Sequence, residues 1–177
     1  LAAGERMAAY RFSGYWKDVG TIDSLWDANM DMLAVDSGVQ LFDPTWPIYA
    51  RTPTKPPHFM GSKAVVSHSM VTGGCEVYGE VENSVLFHSV RVEEGAQVKY
   101  SILMPGAVVK AGAVVEYAIV AENAVIGEGA RVGAPPEDDK PEEWGIAVVA
   151  EGIKVGDGAR IPAKSMVTRN VKSGGVR

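Results

Sequence analysis

The chain has 177 residues, 46% of them hydrophobic, with 17 basic against 22 acidic side chains and a formal net charge of −5. That is enough apolar material for a sizeable core, the charge gives no reason to expect nucleic acid as a partner, and no apolar run approaches the ~18 residues a membrane span requires. One cysteine excludes an intrachain disulfide and suits a reducing cytoplasm, which is the expected location.

In chain order, the first expected element is a helix capped by Thr21 and running to about Leu33. Asp23 lies near its positive end, and Ile22, Trp26, Met30 and Leu33 share one face. An amphipathic helix of this kind needs a partner surface. It is followed by Phe42-Asp43-Pro44-Thr45-Trp46-Pro47-Ile48-Tyr49 and then Thr52-Pro53-Thr54-Lys55-Pro56-Pro57, an extended Pro-rich connector. The division read from this is an incomplete domain over 1–42, a connector over 43–57 and a second domain over 58–177. What precedes the second domain is too short to bury its own core, yet it carries Trp16, Trp26 and Trp46. The chain also starts at Leu1 without an initiator methionine, so truncation at the amino end is the expectation.

From Val66 onward an aliphatic residue recurs every five or six positions, with one four-residue step: Val66, Val71, Val77, Val81, Leu86, Val92, Val98, Leu103, Val109, Val115, Val120, Ile126 and Val132. Two residues before each stands a small residue, Val90 excepted, and the pattern resumes at Val149, Val155, Ile161 and Val167. A period near six is neither helical nor the alternation of an ordinary strand. It describes a coil of three short walls in which the aliphatic side chain points inward and the small one fits the bend. About eighteen residues make one turn, and the ladder is long enough for roughly five to six turns. Ser84-Val85-Leu86, Ser101-Ile102-Leu103 and Ala118-Ile119-Val120 recur in step with that register. Glu94-Gly95, Ala111-Gly112, Glu122-Asn123, Glu128-Gly129 and Asp157-Gly158 supply corner residues that tolerate positive φ.

The ladder breaks between Val132 and Val149, where Pro135-Pro136-Glu137-Asp138-Asp139-Lys140-Pro141-Glu142-Glu143 reads as a solvated loop inserted at 133–147, with Trp144 folding back on the wall. Cys75 occupies a corner position and is expected to be a buried structural thiol. Tyr78, Phe87, Tyr100 and Tyr117 lie off the inward positions and are available to cover a neighbouring domain or subunit. His68 and His88 also lie off the inward positions, beside Ser69 and Ser89, and His58 ends the connector.

The hexad pattern resembles the hexapeptide-repeat family of left-handed parallel β-helices, and the handedness comes from that resemblance alone. The expected fold is therefore mainly β: a left-handed parallel β-helix of hexapeptide repeats preceded by a short α-helical remnant of an α/β nucleotidyltransferase domain. The remnant is more specific. Gly14-Tyr15-Trp16-Lys17-Asp18-Val19-Gly20-Thr21-Ile22-Asp23-Ser24-Leu25-Trp26-Asp27-Ala28-Asn29-Met30-Asp31 closely resembles the segment that ends the catalytic domain in the bacterial ADP-glucose pyrophosphorylase (glucose-1-phosphate adenylyltransferase) family. Trp46-Pro47-Ile48 and the stretch from Ser69-Met70-Val71 to Val85-Leu86-Phe87 are similar to that family as well.

The resemblance implies a reaction of ATP with α-glucose 1-phosphate to give ADP-glucose and pyrophosphate for glycogen synthesis, with Mg²⁺ as the metal. Sugar nucleotidyltransferases carry a W-x-D-x-G-T-like segment that matches Trp16, Asp18, Gly20 and Thr21. By that match Asp18 is a catalytic Mg²⁺ ligand of a catalytic-type subunit, and Trp16 lines the sugar-phosphate pocket. Read alone, Asp18 is a turn residue before a helix. The resemblance also implies a homotetramer assembled through the β-helix and anionic metabolite effectors acting at its border. Lys99, Lys110, Arg91 and Arg131 are available for an anion, with no pair set by spacing.

The family's phosphate-binding loop, G-x-G-x-R-L after a strand, has two look-alikes here. Gly127-Glu128-Gly129-Ala130-Arg131-Val132 and Gly156-Asp157-Gly158-Ala159-Arg160-Ile161 both keep the hexad register and read as coil corners. Without that loop the chain is not expected to catalyse the reaction alone, and its work would be assembly and regulation. Two other classes compete: a hexapeptide acyltransferase using acyl-CoA, with one of the three histidines as base, and a non-enzymatic scaffold. Neither accounts for the segment from Gly14 to Asp31.

Overall fold

Apolar stretches of two or three residues are too short to stand alone, and here each is stabilised by pairing with its counterparts one full coil away. The computed structural model describes residues 4, 6–34, 36–39, 41, 43–49, 53–137 and 144–176. Leu1, Phe42, the connector residue Thr52 and 138–143 of the acidic stretch lie outside the described residues.

Among the described residues, eighteen strands form three parallel sheets of six. The first wall stacks Phe59–Met60, Glu76–Val77, Arg91–Val92, Val108–Val109, Val125–Ile126 and Lys154–Val155. The second stacks Val65–Ser67, Glu80–Glu82, Gln97–Lys99, Val114–Glu116, Arg131–Val132 and Arg160–Ile161. The third stacks Met70–Val71, Val85–Leu86, Ile102–Leu103, Ala118–Val120, Ala147–Val149 and Met166–Val167. The product is a six-coil parallel β-helix, at the upper end of what the hexad ladder implies.

Register follows the repeat. Leu86 pairs with Leu103 and Leu103 with Val120, so a coil takes seventeen residues along this stretch, and Val85, Ile102 and Ile119 align beside them. The inserted loop leaves the stack undisturbed, because Val120 pairs directly with Val149 across it. The inward aliphatics from Val77 onward are buried, as are the small corner residues from Cys75 to Ala147, and Val90 is tolerated among them at 1% exposure. The two glycine-rich look-alikes are corners: Arg131–Val132 and Arg160–Ile161 are paired strands, entered through Gly129 and Gly158 at φ 62° and 65°.

The ladder differs from expectation at its amino end. Val66 is 37% exposed and Val71 half-buried, although both occupy inward positions. The second and third walls begin at these strands, and among the described residues no strand pairs on their outer side. Phe59–Met60 forms a first-wall strand before Val66, which the spacing did not include. At the opposite end Val171 bridges to Val155 and Val176 to Arg160, and Val171 closes the core.

The corner entering the third wall uses a different device from the glycine corners. His68, Asn83, Tyr100 and Tyr117 adopt φ of 43°, 45°, 48° and 49°, a left-handed conformation that is costly for residues with a Cβ. Lys164 does the same in the sixth coil at φ 60°, the next residue is a serine at four of these five corners, and the serines of the first three form a ladder. Ser84 Oγ donates to the Glu82 carbonyl at 2.7 Å and accepts from the Ser101 amide at 3.1 Å. Ser101 Oγ repeats this with the Lys99 carbonyl at 2.7 Å and the Ala118 amide at 3.1 Å. Ser69 starts the series, bonding the Ser67 carbonyl and the Ser84 amide. The hydroxyls satisfy amides that the sharp turn removes from the sheet ladder, which is why a small polar residue serves there.

The outer surface of the third wall is apolar, and it is where the single described helix docks. Val85, Ile102 and Ile119 are 6%, 0% and 4% exposed although they point out of the coil. Leu25, Trp26 and Met30 of α1 (Ile22–Asp31) pack there with Phe87, Met104, Tyr117, Trp144 and Ile146. Trp144 does fold back on the wall, edge-on to Tyr117 at 5.5 Å, with its Nε1 donating to the Ala134 carbonyl at 2.9 Å.

Candidate functional site

The segment that carries the candidate residues is built around the start of α1. Thr21 sits in extended conformation, φ −125° and ψ 161°, and caps the helix. Its Oγ1 accepts from the Ser24 amide at 3.2 Å while Ser24 Oγ accepts from the Thr21 amide at 3.1 Å, a reciprocal capping box. Asp23 lies in the first turn, where the helix dipole favours a carboxylate. The helix ends at Asp31, two residues before the expected Leu33, with Met32 as its cap. Its packed side is Leu25, Trp26, Ala28 and Met30, whereas Ile22 remains 36% exposed. Trp26 and Met30 of the expected face pack on the outer wall of the coil, Ile22 borders a pocket with Trp144 and Ile146 at its edge, and Leu25 is added to the packed side.

Trp26 fixes the helix to that wall. Its indole Nε1 donates to the Tyr100 carbonyl at 2.8 Å, and its ring lies 5.9 Å from that of Tyr117, which stacks on Tyr100 at 4.8 Å and 7°. The left-handed corner at Tyr100 thus presents a carbonyl to a residue 74 positions earlier. Tyr100 and Tyr117 therefore cover the amino-terminal segment of the same chain. Tyr78 serves elsewhere, 5.8 Å from Phe59 and beneath the Arg91 guanidinium at 5.4 Å.

Ahead of the cap, residues 15–18 alternate in what they face. Lys17 Nζ is 2.7 Å from Asp31 Oδ2 and 3.3 Å from Asp27, and the Tyr15 hydroxyl donates to Asp31 at 3.0 Å. Trp16 is 76% exposed and Asp18 is exposed too. Asp18 Oδ1 accepts from the Gly20 amide at 3.1 Å, a turn-forming bond that orients the carboxylate. The Lys17 ammonium lowers the Asp31 carboxyl below the ordinary carboxylate range, and Asp31 raises Lys17 in return. Desolvation, then the bond to Asp31, raises the Tyr15 hydroxyl.

The spacing had indicated the helix but not this clamp. α1 has no basic residue in its last turn, and Asp27 and Asp31 are like charges one turn apart at the negative end of its dipole. That uncompensated pair is the signal in the sequence that a cation must come from outside the helix.

As a metal ligand Asp18 offers one hard carboxylate oxygen beyond the one held by Gly20. That suits it as one member of an oxygen donor set completed by other groups, the usual arrangement for Mg²⁺. No group of three or more His, Cys, Asp or Glu side chains arranged to hold a metal occurs among the described residues.

The three histidines remain apart. His58 and His68 are exposed, His68 Nδ1 lies 2.6 Å from Asn83 Oδ1, and His88 Nδ1 lies 3.4 Å from Ser89 Oγ. Cys75 is 1% exposed and its Sγ donates to the Phe87 carbonyl at 3.0 Å, with burial pushing the thiol up. Of the cations available for an anion, Lys99 pairs with Glu80 and Glu82, and Arg91 with Glu76 and Glu93. No described helix is long and apolar enough to cross a membrane.

Residues 1–35 match the nucleotidyl transferase family model, and residues 55–156 match the model described as GlmU-like, C-terminal hexapeptide. Over 105 residues the chain is 50% identical to a glucose-1-phosphate adenylyltransferase of Clostridium perfringens, covering 59% of this chain and 27% of that protein. Over 107 residues it is 49% identical to proteins of the same name from Bacillus mycoides and Bacillus cereus, covering 60% of this chain and 28% of each. The chain spans about a quarter of the length of the curated relatives it matches. The hexapeptide match takes in more than half of the chain and covers the stacked coils from Phe59–Met60 through Lys154–Val155, and on that ground the chain belongs to the GlmU-like, C-terminal hexapeptide family.

Proposed function

We propose that this chain is the carboxy-terminal part of a glucose-1-phosphate adenylyltransferase, the enzyme that makes ADP-glucose and pyrophosphate from ATP and glucose 1-phosphate for glycogen synthesis. The observation that carries the reading is the order of two unrelated matches along the chain: a nucleotidyl transferase segment over 1–35, then a hexapeptide domain over 55–156. A bare acyltransferase prism has no use for the first. On this reading 1–42 closes the nucleotidyltransferase domain, 43–57 connects, and 58–177 is the β-helix domain.

In the reaction a phosphate oxygen of glucose 1-phosphate attacks the α-phosphorus of ATP while pyrophosphate leaves. A divalent ion such as Mg²⁺, when bound, supplies the positive charge that offsets what accumulates on those oxygens. Asp18 would be one of its ligands, since the Gly20 amide orients the carboxylate through one oxygen and leaves the other for the metal. Trp16, exposed beside it, offers a flat apolar face to the sugar-phosphate pocket. The β-helix would serve assembly into a homotetramer and response to anionic metabolites.

The full-length protein that carries this sequence should release pyrophosphate from ATP and glucose 1-phosphate. Asp18→Asn in that protein should lower turnover by roughly a hundredfold or more with the fold intact. Near-normal turnover would remove Asp18 from the metal site. Acetyl-CoA consumption with an acceptor, in place of pyrophosphate release, would establish the acyltransferase instead.

A further inference from the structure

We infer that Lys17, Tyr15 and Asp31 form a positioning clamp that holds Trp16 and Asp18 on one side of the segment before α1, so that the β-helix wall, through α1, sets where the candidate metal ligand stands. The inference rests on the adenylyltransferase reading above. Its starting point is an alternation: Tyr15 and Lys17 both reach Asp31, while the residues between and after them project into solvent. With Tyr15 and Lys17 tied to Asp31, the exposed Trp16 and Asp18 are left directed away from α1.

The anchor is rigid at both ends. Asp31 terminates α1, and α1 is pinned to the coil by Trp26 through a 2.8 Å bond to the Tyr100 carbonyl and by packing on Ile102 and Ile119. Among the described residues Lys17 is the cation that pairs with Asp27 and Asp31, so its loss leaves two carboxylates one turn apart at the negative helix end. The segment would then lose its attachment to α1 while Thr21 still capped the helix. The β-helix core, which none of these three residues enters, would be untouched.

A supporting residue that orients a metal ligand is worth roughly 10- to 100-fold in metal affinity or activity. In the full-length protein, Lys17→Met and Asp31→Asn should each raise the Mg²⁺ concentration for half-maximal rate by roughly tenfold or more. Mn²⁺ binding followed by electron paramagnetic resonance should weaken to match. KM for ATP should stay within about twofold, since the clamp orients and does not bind nucleotide. Lys17→Arg, which keeps the charge, should restore most of the loss, and thermal unfolding of the β-helix should not move.

Unchanged Mn²⁺ binding and Mg²⁺ dependence in both variants would overturn the clamp, as would a Lys17→Arg protein no better than Lys17→Met. Should Lys17→Met fail to fold, Asp31→Asn, which preserves shape, decides the matter alone. A parent protein with no pyrophosphate release overturns the adenylyltransferase reading and the clamp's role with it, whereas an active parent with indifferent variants overturns the clamp only.

Discussion

The buried serines of the third-wall corner show why a residue that looks like filler in the repeat is chemically specific. Ala118 occupies the homologous position one coil on from Ser101, so alanine fits the space at that corner. The hydroxyl does something alanine cannot: it accepts the Ala118 amide and donates to the Lys99 carbonyl. Ser101→Ala should therefore fold normally and lose about 1–3 kcal/mol, the cost of a buried amide left without an acceptor. Urea unfolding checks this, and a loss below a few tenths of a kcal/mol would mean that water reaches the amide.

At the scale of elements, α1 depends on tertiary support more than on its own propensity. Its capping box and Asp23 favour the first turn, but its last turn carries Asp27 and Asp31 and no cation of its own. Lys17 and the Trp26 anchor supply what is missing. The pH dependence follows from the direction of the shifts. Asp31 is lowered in the folded chain, so its contribution is present above the unfolded carboxylate value of about 3.9 and is lost as pH falls through the lower folded value. Lys17 is raised, so its contribution is present below the unfolded value of about 10.4 and is lost as pH rises through the higher folded value. Docking of α1, followed by near-ultraviolet circular dichroism of the Trp26, Tyr117 and Trp144 cluster, should be flat across neutral pH and weaken in acid below the carboxylate range. Weakening that begins near pH 6–7 would point to a histidine and against Asp31.

At the scale of the whole molecule the coils form a one-dimensional stack in which each is stabilised by its neighbours. The central coils bury every inward residue, whereas the first leaves Val66 37% exposed. Hydrogen exchange should accordingly be slowest for amides between Val92 and Val132 and faster by orders of magnitude at Val65–Ser67, because local opening there breaks contacts on one side only. Uniform protection along the stack would mean that the coils open only together. The apolar outer surface of the third wall adds a second, lateral interface, and it joins the hexapeptide coil to the segment that carries Asp18.

The amino-acid sequence by itself determined the coil, its register and the inward aliphatic core from Val77 onward, because a period near six leaves an aliphatic side chain one place to go on each wall. It determined the glycine and asparagine corners for the same local reason, and the cap of α1 as well. What only the tertiary structure decided involves partners far apart in the chain. Examples are the surface that receives α1, the left-handed Tyr100 corner whose carbonyl meets Trp26, the serine ladder between coils, and the Lys17 clamp on Asp31. None of these has a period. Each depends on which outward-facing side chain meets which after the coil has closed, and that is settled by the geometry of the packed walls.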